Sequence, residues 1–151
     1  DPDSIPALAN LAALLRRRGD DKAARALLDR LLALDPGRAE SYADLALVHE
    51  SQGRDEEARS AAERALALDP TNASALRTLA RLDYGKGDLG TAHGRLDTVL
   101  GRGEDPAASM ELGRVLDRMG EFDAAFAAFA RGKRGLAAKL ETRAYSMESY
   151  P

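Results

Sequence analysis

Residues 39–72 read AESYADLALVHESQGRDEEARSAAERALALDPTN, and this stretch decides the fold. Tyr42, Leu45 and Ala46 lie at helical spacing in a segment of about 14 residues that runs up to Gly53. A glycine there allows the left-handed turn that ends a helix. Asp55 follows where a carboxylate complements the positive end of a new helix. That second helix carries Ala58 and Ala65 and stops before Asp69-Pro70, because the residue preceding a proline is pushed out of helical geometry. The stretch predicts two antiparallel helices joined by a tight turn.

The same marks recur on either side. Pro2, Pro36 and Pro70 are 34 residues apart, and so are Gly19, Gly53 and Gly87, and Ala24, Ala58 and Ala92. A fourth copy follows at a spacing of 33, with Gly120 and Ala125. Asp20, Asp55, Asp88 and Glu121 each open a second helix. In the first copy, Leu8, Leu11, Ala12 and Leu15 form one apolar stripe, and Ala24, Leu27, Leu28, Leu31 and Leu32 the other. Ala12, Ala46, Ala80 and Gly113 occupy one position of the first helix, and Ala24, Ala58, Ala92 and Ala125 one position of the second. Small side chains facing each other let two helix axes approach closely.

This period, with its Tyr42, Leu45, Ala46, Gly53, Ala58, Ala65 and Pro70, resembles the tetratricopeptide repeat family over roughly residues 5–136. The departure is a poverty of aromatics: Leu15, His49, Asp83 and Leu116 stand where the family places Tyr, and of the later aromatic positions only Phe129 is filled. The resemblance implies an all-α fold, a right-handed α-α superhelix (solenoid) of four helical hairpins with an extended C-terminal helix. It implies one domain over 1–151, with repeats at about 5–38, 39–72, 73–105 and 106–136 and a helical extension or linker over 137–151. It also implies a scaffold for protein–protein interaction, with the first helices lining a groove for an extended peptide or a partner helix.

Composition agrees with a helical protein. The chain has 151 residues, 44% hydrophobic, 31% charged and only 5% aromatic, with few β-branched residues to build strands. A net charge of −3 lacks the basic excess of a general nucleic-acid binder, so nucleic acid is not expected as a partner. No apolar run approaches membrane-spanning length, and no signal peptide opens the chain; the expected location is cytoplasmic. There is no cysteine, and no zinc or calcium spacing appears. His49 and His93 are the only histidines and nothing in the register sets them together, so no catalytic residue, metal or cofactor is expected and the chain does not read as an enzyme.

The third copy is irregular. Gly85, Gly87, Gly90, Gly94, Gly101 and Gly103 concentrate there, and each glycine inside a helix costs about 1 kcal/mol relative to Ala, so the helix over 89–100 is expected to be the loosest. Gly85 to Gly90 formally match GxGxxG, but a dinucleotide fingerprint must follow a strand, and here a helix precedes it. Asp105-Pro106 reads as the cap and first turn of the next helix. The last helix starts at Phe122 or Asp123, with Leu136 and Leu140 expected to turn inward, and after Tyr145 the chain reads as a frayed end or linker. Residues 121–132, followed by a basic helix ending near Arg143-Ala144-Tyr145, are also similar to the junction in bacterial proteins that fuse such repeats to a sulfotransferase domain. That resemblance implies a non-catalytic segment of a larger enzyme as the alternative function.

The family's groove-facing places select Asn10, Arg17, Asp44, Leu47, Arg77, Arg81, Tyr84, Met110, Arg114 and Arg118 as the candidate peptide-binding residues. The family's carboxylate clamp for chaperone tails is absent, since Ala9, Ala13, Asp44, Ser74 and Thr78 hold its places. An asparagine ladder begins at Asn10 but is broken by Asp44, Thr78 and Glu111. What remains is arginine: Arg77, Arg81, Arg114 and Arg118, with Tyr84 beside them, offer planar forks suited to carboxylate or phosphate, or pair with Glu111 and Asp117 as a solvated network. Exposed ends of the stack leave a homodimer as a further partnership.

Overall fold

The computed structural model describes residues 4–148, with side chains to Thr142. Those residues form eight helices: α1 (Ile5–Arg17), α2 (Asp21–Leu34), α3 (Ala39–Ser51), α4 (Asp55–Leu68), α5 (Ala73–Lys86), α6 (Leu89–Leu100), α7 (Pro106–Met119) and α8 (Phe122–Glu148). The described residues contain no strand.

Local chemistry sets the boundaries. Gly19, Gly53, Gly87 and Gly120 all have φ between 69° and 84°, the left-handed conformation that turns each first helix into its second. Asp20 and Asp88 cap the following helices, accepting 3.1 Å hydrogen bonds from the Ala23 and Thr91 amides. In the second hairpin the cap residue is Arg54, without a side-chain bond, and Asp55, Glu56 and Glu57 lie in the first turn, where they complement the helix dipole as the sequence reading expected of Asp55. Asp35 and Asp69 leave helical geometry at φ −141° and −137°, each ahead of a proline. Asp105 caps α7 through Ala108 at 2.9 Å, with Pro106 in the first turn.

The chain divides into two compact units, one up to Leu82 and one from Asp83 onward, so the division falls inside α5. In the first unit α1 packs on α2, α2 on α3 and α3 on α4. Ala12, Ala24, Leu28 and Val48 form one core cluster, with Leu15, Leu27 and Leu45 packed against it. Ala43, Ala46, Ala58, Ala61, Ala62, Ala65, Ala75, Leu79 and Leu82 form a second. The small-residue series lie where expected: Ala12, Ala46, Ala24 and Ala58 are 0–1% exposed, and so are Ala80 and Ala92. Leu11, placed by the sequence on the inner stripe, is instead 46% exposed.

In the second unit α6 packs on α7 and α7 on α8. The α7–α8 contact is unusually close because it runs over glycines. A Cβ on Gly113 would lie 2.6 Å from the Phe129 ring, and one on Gly132 would lie 2.8 Å from Met110. One on Gly135 would lie 2.8 Å from Pro106. α8 is continuous to Glu148, so the expected loss of helix after Tyr145 does not occur within the described residues. Leu136 and Leu140, expected inside, are 55% and 59% exposed. The reason is length: Gly135 already lies against Pro106, the first residue of α7, and beyond it α8 has no α7 to pack on.

Candidate peptide-binding surface

The first helices carry the candidate residues because the repeat buries their other faces against the second helices. In the first unit, α1, α3 and α5 are tied by two ion pairs. Arg16 approaches Asp44 at 3.3 Å, and Arg81 grips Glu50 with two bonds of 2.6 Å from Nε and Nη2 while also donating to Thr78 at 3.1 Å. The Glu50–Arg81 pair is a planar, two-bonded fork between consecutive hairpins, both side chains about three-quarters buried. Asp44 shows what burial costs. Desolvation raises its carboxyl above the ordinary value, and the charge and hydrogen bond of Arg16 lower it by less.

Asn10 and Arg17 are exposed on α1, and Leu47 is half-buried between Asp44 and Glu50 on α3. Arg77 and Arg81 are half-buried on α5 in the first unit. In the second unit, Arg118 donates to the Tyr84 carbonyl at 2.8 Å and lays its guanidinium 5.0 Å from the centre of the Tyr84 ring, a cation–π contact. Arg114 is exposed one turn before Arg118 on α7. Met110 does not point outward. It packs against Gly132 of α8. Sequence reasoning missed Glu50 as the partner of Arg81, although the residues are 31 apart, less than one repeat, and so lie on neighbouring first helices.

Among the described residues no other chemistry gathers. His49 is buried at 6% exposure, and burial first, then the Arg25 charge, lowers its pKa, so the ring is neutral at pH 7. His93 contacts Asp97 one turn away at 3.4 Å. Among the described residues no three His, Asp or Glu side chains are placed to hold a metal ion. The glycine-rich stretch 85–90 is the end of α5, the left-handed turn at Gly87 and the start of α6. No described helix is long and apolar enough to cross a membrane.

Paired helices with left-handed glycine turns at a 34-residue interval, packed through aligned small residues, define an all-α helical-repeat protein. Two sequence profiles described as tetratricopeptide repeat match residues 3–71 and 49–106, and over that span the chain belongs to the tetratricopeptide repeat family. The fold is also similar to solved structures. TTC0263, a thermophilic TPR protein of Thermus thermophilus, is 21% identical with a TM-score of 0.79, over 98% of this chain and 82% of that one. In the APC/C hetero-tetramer Cut9–Hcn1 the match is 22% identical with a TM-score of 0.82, over 87% of this chain and 27% of the other. YrrB, described as a TPR protein with an unusual peptide-binding site, is 23% identical with a TM-score of 0.68, over 89% of this chain and 70% of that one. No curated protein sequence matches the chain.

Proposed function

We propose that this chain is a non-catalytic, cytoplasmic scaffold for protein–protein interaction that binds an acidic polypeptide segment in its second unit, on the exposed face of α7. The observation that carries the proposal is the treatment of arginine on that face: the Tyr84 ring and carbonyl fix Arg118, and Arg114 stands exposed one turn before it. Guanidinium groups already held in place lose little freedom on meeting a carboxylate. The printed description of YrrB supplies a precedent for peptide binding by this kind of repeat. The family's role as a protein-binding scaffold agrees with it. A helix face also offers a place for a second copy of the chain.

The test is fluorescence anisotropy with a labelled oligoglutamate peptide. The double variant Arg114→Ala with Arg118→Ala should weaken binding at least about fivefold, and the wild-type affinity should fall with added salt. Affinity unchanged by both treatments rejects the arginine reading. The alternative function, a non-catalytic segment of a larger bacterial sulfotransferase, rests on the sequence resemblance of residues 121–145 alone.

A further inference from the structure

α8 carries an apolar seam that is largely exposed toward both ends, while Phe129 at its middle packs on Gly113 of α7. Phe122, Phe126, Phe129, Lys133, Leu136 and Leu140 follow one another at intervals of 4, 3, 4, 3 and 4 residues. That is the alternation of a and d positions in a coiled coil, which turns one narrow stripe toward a partner helix. Phe122 and Phe126 are 68% and 76% exposed, and Leu136 and Leu140 are 55% and 59% exposed. Large apolar side chains in such a row are unlike the scattered surface leucines of ordinary proteins. Midway along the row lies an almost wholly apolar hollow of about 380 Å³, lined by Phe126, Phe129, Ala130 and Lys133. These residues stand at i, i+3, i+4 and i+7, the four-sided hole into which a facing helix inserts a knob.

We infer that this seam pairs with the same seam of a second copy of the chain, the two α8 helices running in opposite directions. Two features of the sequence select this occupant. The seam is complementary to its own reverse. Turned about residue 131, Phe122 faces Leu140 and Phe126 faces Leu136, so each aromatic half meets an aliphatic half. Lys133 then faces Phe129, where a cation over a ring is attractive. A parallel pair would instead set Lys133 against Lys133 in the middle of an apolar interface, at a substantial cost.

The overhang gives the arrangement a physical reason. Past Gly135, α8 continues for about 20 Å without α7 beside it, at 1.5 Å per residue. An unsupported helix of that length is marginal in water. A second α8 lying against Leu136 and Leu140 supplies the missing support.

The inference deepens the second-copy reading and is independent of the first-helix surface, so failure of peptide binding leaves it standing. The full chain is examined by sedimentation equilibrium. Association should reach half-dimer near 10 µM, an affinity of ordinary transient strength. Phe126→Asp should raise the dissociation constant at least about a hundredfold. That side chain is largely exposed, so unchanged helical circular dichroism will show that the variant still folds. The chain has no cysteine, so Thr142→Cys carries a single spin label. Opposed helices centred on residue 131 hold two such labels about 33 Å apart along the axis, whereas parallel helices hold them within about 15 Å. A chain that stays monomeric at about 200 µM, or one whose association survives Phe126→Asp, overturns the seam. A short label distance overturns the opposed orientation.

Discussion

Two glycine-to-alanine substitutions in the second unit should move stability in opposite directions, and the sign of each is set by what a Cβ would meet. Gly94 lies inside α6, with φ negative and nothing within 4 Å of a Cβ built there. Gly94→Ala therefore gains the helix propensity of alanine without a steric cost, about 1 kcal/mol. Gly113 lies inside α7 and would gain the same propensity. Its Cβ, however, would fall 2.6, 2.6 and 2.9 Å from three atoms of the Phe129 ring, including the ring carbon nearest the backbone. The ring cannot yield by swinging its far end, so the α7–α8 pair must separate. Overpacking of this kind costs about 1–3 kcal/mol, leaving a net loss of about 1 kcal/mol after the propensity gain.

In urea, with a slope of about 1.5 kcal/mol per molar, the midpoint should rise by about 0.7 M for Gly94→Ala and fall by a similar amount for Gly113→Ala. The cause can be isolated. Phe129→Leu, which places at 129 the residue found in register at Leu28 and Leu96, should rescue Gly113→Ala, so that the double variant is more stable than additivity predicts by about 1 kcal/mol. If Gly113→Ala raises the midpoint as Gly94→Ala does, the claim that glycine permits the close α7–α8 approach is wrong.

Three further outcomes follow. Because His49 has a lowered pKa in the fold, the unfolded chain binds more protons around its ordinary value of 6.5; stability should fall as pH drops through 6.5, and His49→Leu should flatten that slope in urea titrations at pH 7.5 and 5.5. A double-mutant cycle on Glu50→Gln and Arg81→Met should give a coupling of about 1 kcal/mol, modest because both groups keep some solvent contact; a value near zero would reduce the fork to an ordinary surface pair. Amide hydrogen exchange should be faster across α6 than across α4, since α6 holds Gly90 and Gly94 and back-bonds Thr98 to the Gly94 carbonyl at 2.9 Å, whereas α4 is rich in alanine; equal protection would deny that glycine content sets local opening.

The fold was legible because its punctuation is covalent. A glycine at φ +69° or +84° and an aspartate before proline mark helix ends through local sterics, whatever surrounds them. Alanine series in register likewise announce close packing before any coordinates exist. Asp55 was legible as the acidic opening of α4, but whether it acts from the cap or from the first turn was not, because caps and first-turn carboxylates favour a helix by different means and look alike in sequence. Leu136 and Leu140 were misread because periodicity shows that a helix has an apolar face but not that anything lies against it. On the candidate surface, spacing located the arginines correctly on α5 and α7 but could not reveal that Arg81 spends its fork on Glu50, or that Met110 turns to fill the space left by Gly132. Those outcomes depend on side-chain rotation, which carries no period.

The division at Leu82 bears on how this array could be cut or grafted. By sequence register the second copy ends at residue 72, and an engineer counting in 34s would splice there. Yet Ala75, Leu79 and Leu82 complete the cluster built on Ala58, Ala61, Ala62 and Ala65. Alanine alone covers too little surface to hold a hairpin shut, so the rod that follows acts as the clasp of the pair before it. A modular cassette taken from this chain therefore contains three rods rather than two, and a truncation should fall after α5.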